Sequence, residues 1–407
     1  MIRWREPEGN TCKVLLAGDV SPHNTNIGRI IDTGLARIFG DVKPFFAAAD
    51  LSVVQWETPL APPELCDPIA KSGPNLVCDA RGAEIMKYLG GDVALLANNH
   101  IGDQGDRAVL ETIRILEDSG VRCVGAGADL TAAQRSLCVE LNGVKLALVN
   151  AAEHEFGTAT RRSPGSAPLE PEEIMETIRE LRDTGFRVLV ALHGGHEYNP
   201  HPSPRMMKLF RMFVAGGADA VFNCHTHCPE GFEIRRGSPI VCSPGNFYFP
   251  LRSEEKRPLP TWWQGYLTII GFDAAGAFSL ELVPYTFGLE HVTPFEGAAK
   301  ERFTDYLRQL SAPLADMTEL ERLFDLWSTF YGFHYVRGAL RRILDAGFDF
   351  SDLEAAKKYL ALRNTYTCEA HRDMVGNFFR LVERGMISAE PTLDAEIAEL
   401  QQGPRLS

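Results

Sequence analysis

From residue 13 to about residue 250 the chain alternates short, nearly unbroken apolar runs with segments of helical period. The apolar runs are KVLLAGD (13–19), LSVVQWE (51–57), DVALLAN (92–98), VKLALVN (144–150), FRVLVALH (186–193) and ADAVFNCH (218–225). A strand with one wet face alternates apolar and polar residues. These runs do not, which predicts strands covered on both faces by other layers. Between them, RAVLETIRILEDSG (107–120) and PEEIMETIRELRDTG (171–185) predict helices. Each ends on Gly, which suits a left-handed C-terminal cap, and the second opens on Pro, whose missing N–H is no loss in a first turn. The pattern is that of an α/β fold with right-handed crossovers.

The character changes after residue 230. GFEIRRGSPIVCSPGNFYF (231–249) and GYLTIIGFDAAGAFSLELV (265–283) carry turn signals at RRGSP and DAAGA and predict hairpins. From about residue 295 the period becomes helical: EGAAKERFTDYLRQL (296–310), DMTELERLFDLWSTFYGFHYVRGALRRILDAG (316–347), SDLEAAKKYLALRNT (351–365) and CEAHRDMVGNFFRLVERG (368–385). The organisation expected is a sheet domain over 1–290 and a helical C-terminal region over 291–407, the latter also the natural face for a homo-oligomer. The stripe Phe324, Trp327, Phe330, Tyr331 and Phe333 falls at helical spacing and reads as core.

Charge narrows the partners. Among 407 residues, 54 acidic side chains outweigh 41 basic ones for a net charge of −13, which argues against nucleic acid and against anionic membrane surfaces. No apolar run is long enough for a membrane span, and the N-terminal stretch MIRWREPEGNTCKVLL lacks the apolar segment of a secretory signal. Nine cysteines without framework spacing predict free thiols in a reducing compartment, hence a cytoplasmic protein.

The chemistry sits where the apolar runs stop. Asp19 ends the first and Glu57 the second; Asn98, Asn99 and His100 follow the third; His193 closes a later one, and His225 with His227 another. In a parallel sheet the carboxyl ends share one edge, and ligands bind in the crevice there. A single His at a strand end is ordinarily structural. Five segments that each end in a metal-capable side chain predict a metal centre built from Asp19, Glu57, Asn99, His193, His225 and His227. The mixed oxygen and nitrogen set, with a carboxylate able to bridge, suits one or two divalent transition-metal ions, Mn, Fe or Zn, over Ca or Mg.

GDV (18–20), QWETPLAP (55–62), LLANNHIGDQG (95–105), VALHGGHEY (190–198), GADAVFNCHTH (217–227) and SPGNFYF (243–249) resemble the CapA, or poly-γ-glutamate capsule-synthesis, family, itself similar to calcineurin-like metallophosphoesterases. The resemblance covers roughly residues 13–250 and implies a metallophosphoesterase-like layered α/β sandwich with a C-terminal helical appendage. It implies that Asp19 and His227 bind one metal, that Glu57 bridges, and that Asn99, His193 and His225 bind the second. His100 would be proton donor or oxyanion stabiliser, with Asp103 orienting it and raising its basicity. Three positions depart from the metallophosphoesterase pattern. Ser21 stands where a His ligand is usual, with His23 nearby as a substitute; Glu57 replaces a bridging Asp; and Cys224 and Cys228 flank His225 and His227, which leaves a structural zinc knot as a competing reading.

Lys71, Arg205, His154 with Glu153, and the trio His196, Glu197 and Tyr198 are the candidates for substrate contact, and they suit a small-molecule or oligomeric anionic substrate. Two functions fit. One is a metal-dependent hydrolase of a phosphoester or a γ-glutamyl-type amide or ester; the other is an accessory protein of capsule-polymer synthesis or export without turnover of its own.

Overall fold

The computed structural model describes residues 1–250, 259–346, 359–387 and 389–404. Its core strands are β1 (Thr11–Val20), β2 (Leu51–Trp56), β3 (Val93–Leu95), β4 (Val144–Ala152), β5 (Arg187–His193), β6 (Ala220–Cys224), β7 (Asn246–Tyr248), β8 (Gln264–Asp273) and β9 (Gly276–Phe287). The six apolar runs become six strands, but they do not share one sheet. β1, β2 and β3 run parallel in the first sheet, and β4, β5 and β6 run parallel in the second.

The two sheets face each other across one core. Val14, Leu16 and Val53 of the first sheet pack with Leu146, Leu189 and Phe222 of the second. Helices cover the outer faces: Ile85, Met86 and Leu116 lie against the first, and Ile178, Phe210 and Phe213 against the second. Every central strand is therefore dry on both sides, which is why the runs show no polar alternation. The result is a layered α/β sandwich. Both expected hairpins form. Phe232–Arg235 pairs with Ser238–Val241 across Arg236 and Gly237, both at positive φ, as a tight two-residue turn requires. β8 pairs with β9.

The helices that matter below are α1 (Met317–Ala346), α2 (Leu360–Thr367) and α3 (Glu369–Glu383). Residues 351–358 of the helix expected over 351–365 lie outside the described residues. Phe324 and Trp327 of the aromatic stripe are buried, in a small core with Met374 and Val375 of α3. All nine cysteines are unpaired. Among the described residues, no helix is long and apolar enough to cross a membrane.

Candidate metal centre

Because the strands of each set run parallel, their carboxyl ends emerge at one edge, and the two sheets bring both edges together. Asp19 is the next-to-last residue of β1, Glu57 directly follows β2, and His193 ends β5. His225 and His227 lie just beyond β6, at φ 99° and 54°. Non-glycine residues at positive φ are strained, and such strain concentrates at functional sites. After β3, Asn98 shapes the turn: its Oδ1 accepts from the backbone N–H groups of His100 (3.0 Å) and Ile101 (2.8 Å), which leaves Asn99 and His100 facing the edge.

The six residues converge. Ligand atoms of Glu57, His193 and His225 lie within 4.8 Å of one another, and so do those of Asp19, Glu57 and His227. Glu57 belongs to both groups. His193 Nε2 stands 3.1 Å from both Asn99 Oδ1 and His225 Nδ1 and 3.6 Å from Glu57 Oε1. His227 Nε2 is 3.8 Å from Glu57 Oε1. Separations of 3.6–3.8 Å are too long for hydrogen bonds and suit co-ligands of one ion. Asp19 and Glu57 are fully buried, and Asp19 Oδ1, both oxygens of Glu57 and His193 Nδ1 have no hydrogen-bond partner. Bare buried carboxylates side by side are costly unless a cation joins them. The donor set fits a divalent transition metal.

The electrostatics follow from this crowding. Burial, with Asp19 beside it, holds the Glu57 carboxyl well above its usual range. Burial and the neighbouring His225 and His227 hold His193 far below the ordinary imidazole value. Burial opposes charge on His227 too, but Glu57 and Asp19 overcome it and push the imidazole up to about 10.

A chain residue orients His227. Its Nδ1 lies 2.8 Å from Asn246 Oδ1, so Nδ1–H donates there and Nε2 is left for a metal. Asn246 arrives because β7 pairs with β1, Asn246 opposite Asp19. Gly18 makes room: a Cβ there would lie 1.9 Å from the Gly245 carbonyl oxygen.

His100 Nδ1 lies 2.7 Å from Asp103 Oδ2, and Lys71 Nζ donates to Asp103 Oδ1 at 2.5 Å. Asp103 thus holds the His100 ring in place. Asp103 raises the imidazole, but burial and then the Lys71 ammonium outweigh it and hold His100 below its ordinary value. With Nδ1–H tied to Asp103, Nε2 of the neutral ring faces the centre as an acceptor, 3.9 Å from Glu57 Oε1.

A family model described as "Bacterial capsule synthesis protein PGA_cap" matches residues 13–251. The chain belongs to that family. The capsule biosynthesis protein CapA of Bacillus anthracis is 27% identical over 61% of this chain and 62% of its own length. The PGA biosynthesis protein CapA of Bacillus subtilis (strain 168) is 29% identical over 53% and 57%. A "probable polyglutamine synthesis accessory protein" of Mycobacterium tuberculosis is 28% identical over 38% and 44%. The matches thus span less than two thirds of each relative. A solved 5'-nucleotidase precursor from Thermus thermophilus aligns at 13% identity over 68% of this chain and 54% of that one, with a TM-score of 0.42, too low to carry a shared function.

In this chain a cavity of about 540 Å³ lies over the centre, with Asn99, His100 and His225 in its floor and Trp327, Tyr331 and His371 of the C-terminal helices in its roof. Lys71, His196, Glu197 and Tyr198 also line it. Lys71 is buried and bound to Asp103. His196 Nε2 donates to the Ala370 carbonyl at 2.9 Å and its ring packs on Phe324 and Trp327, so it clamps loop to helix. Glu197 is exposed, and Tyr198 sits at φ 63°.

His154 and Arg205 do not line the cavity. His154 Nδ1 lies 2.7 Å from Glu369 Oε1, and Arg205 donates to Glu153 Oε1 at 2.5 Å and approaches Asp373 Oδ2 at 3.4 Å. Both serve the junction with α3. Ser21 shares a hydrogen bond with Thr58. Neither His23 nor the cysteines Cys224 and Cys228 belong to a metal-capable group among the described residues, and Cys228 donates to the Asn199 carbonyl at 3.2 Å instead.

Two residues escaped sequence reasoning. Asn246 lay inside the quoted SPGNFYF motif but carried no role. Glu155, two residues past Glu153, accepts from Asn99 Nδ2 at 2.7 Å and so turns Asn99 Oδ1 towards His193.

Proposed function

We propose that this chain is a metal-dependent hydrolase in which Asp19 and His227 hold one divalent ion, Asn99, His193 and His225 hold a second, and Glu57 bridges them. The observation that carries this is the set of buried, unpartnered oxygens on Asp19 and Glu57, ringed by three imidazoles. When bound, Mn, Fe or Zn ions would supply Lewis acidity and an acidified water. The chain's residues do the rest. Asn246 fixes His227, Glu155 fixes Asn99, and Asp103 fixes His100, whose neutral ring with Nε2 free would take up a proton rather than donate one as the resemblance implies. The roof of α1 and α3 limits water around the attacked group.

Substrate charge follows from the cations in reach. Lys71, which Asp103 engages, and Arg342 both line the cavity, while Arg205 and Arg29 lie outside it, held by Glu153 and Glu290. With Lys71 engaged, Arg342 is the arginine of the lining that would supplement the metals, so a substrate of modest charge, a phosphodiester or a γ-glutamyl-type amide or ester, is the one expected. The names of the relatives support a second reading, an accessory role in making or exporting an anionic polymer, in which the same fold binds without turnover.

Metal analysis and turnover separate the two. Protein made in metal-supplemented medium should carry at least one ion per chain; less than one ion for every two chains refutes the metal centre. With metal present, diesters or γ-glutamyl anilides should turn over faster than aryl monoesters. His100→Ala should keep its metal and lose about 10²–10⁴-fold in rate. Bound metal with no turnover on any of the three would favour the accessory role.

A further inference from the structure

A second group of potential ligands lies in the cavity wall, made of residues other than the six assigned above and touching them through Asn99. Glu155 follows β4, while Cys368 and His371 sit three residues apart at the start of α3, separated from Glu155 by more than 200 positions. Glu155 Oε2 is occupied by Asn99. Its other oxygen, Oε1, faces Cys368 Sγ at 3.9 Å and His371 Nδ1 at 3.6 Å. His371 Nδ1 is buried and has no hydrogen-bond partner. The imidazole–carboxylate distance is too long for a hydrogen bond, and the thiol contact is at the limit of one. Tetrahedral zinc with bonds of about 2.0–2.3 Å sets its ligand atoms roughly 3.3–3.6 Å apart; the two distances to Glu155 Oε1 are already close to that spacing, and all three ligand atoms lie within 4.8 Å of one another.

We propose that Glu155, Cys368 and His371 form a zinc-type cation site that ties α3 to the cavity floor and leaves one coordination position open. Thiolate, imidazole and carboxylate together select a borderline-soft ion such as Zn. Glu155 and His371 both line the cavity, so the fourth position opens there and takes water or an anionic oxygen of whatever the cavity holds. Binding deprotonates Cys368 and releases that proton to solvent. Through the Asn99 contact the site also steadies the floor. It stands on its own ligands, whether or not the centre below turns anything over.

Cobalt(II) titration of the full-length protein tests this. None of the six residues assigned to the main centre is a cysteine, but Cys224 lies against Asp19, so a thiolate-to-cobalt charge-transfer band in the near ultraviolet is assigned to the second site by its loss in Cys368→Ser. The band should appear in the wild type, disappear in Cys368→Ser, weaken in His371→Ala and persist in His193→Ala. Zinc should also slow modification of Cys368 by a thiol reagent in the wild type, a readout that needs no variant to fold. Absence of the band with excess cobalt, its survival in Cys368→Ser, or no protection by zinc would overturn the proposal. Loss of metal from the main centre with the band intact would count against the hydrolase reading and leave this one standing.

Discussion

Replacing Glu57 with Gln should reverse the order of stability between chelated and metal-loaded protein. Both carboxylate oxygens of Glu57 and Oδ1 of Asp19 are buried without a hydrogen-bond partner. A buried polar group left unsatisfied costs about 1–3 kcal/mol, and a charged one more. The amide keeps the shape and removes one of two adjacent charges, so chelated Glu57→Gln should exceed chelated wild type by about 1–3 kcal/mol. Burial and Asp19 already push the Glu57 carboxyl up, so the difference shrinks as pH falls and Glu57 takes its proton in the wild type. Metal works the other way. An ion present at about 100 times its dissociation constant stabilises by about 2.7 kcal/mol per site. Glu57 belongs to both ligand groups, so the wild type stands to gain at each and the variant to lose at each. Thermal unfolding of both proteins at mildly alkaline pH, with chelator and with excess Mn, reads the crossing directly. A chelated variant less stable than the chelated wild type would refute the reasoning, as would a wild type that metal does not stabilise.

Other expectations rest on particular contacts. Asn246→Ala should leave the fold intact and weaken metal binding about 10–100-fold, because His227 loses the partner that fixes its tautomer; competition with a chelator measures it, and unchanged affinity would remove Asn246 from the centre. Gly18→Ala should destabilise by about 1–3 kcal/mol or more and release metal, since the added methyl meets the Gly245 carbonyl at 1.9 Å; a variant of wild-type stability would show that β7 yields. The His154 imidazole is raised by its hydrogen bond to Glu369 and, against its burial, by the charges of Glu369 and Glu170. Its folded pKa lies above its unfolded one, so the stability it contributes is full below about pH 6.5 and is lost as pH rises through the raised value. Thermal scans of wild type and Glu369→Gln should therefore converge towards alkaline pH, and a constant gap would contradict the ion pair.

The ends of the apolar runs were readable because strand burial and side-chain type are local properties. A run without polar alternation must be dry on both faces, and the residue that breaks it must sit at an edge. That reasoning picks out Asp19, Glu57, Asn99, His193, His225 and His227 as candidates from position alone, and turn chemistry picks out the hairpins at Arg236–Gly237 and after Asp273.

What the tertiary structure decided is everything that depends on which distant segments meet. The hydrophobic pattern of β1 to β3 is the same as that of β4 to β6, so nothing local assigns them to separate sheets; the shared core of Leu16 and Leu189 does. Lys71 and Arg205 look alike as free cations until Asp103 and Glu153 are placed beside them. His154 reads as a rim residue until Glu369, 215 positions later, claims it. A side chain's character belongs to the sequence, but its partner, and with it its charge and its role, is set by chain segments that only folding brings within a few ångströms.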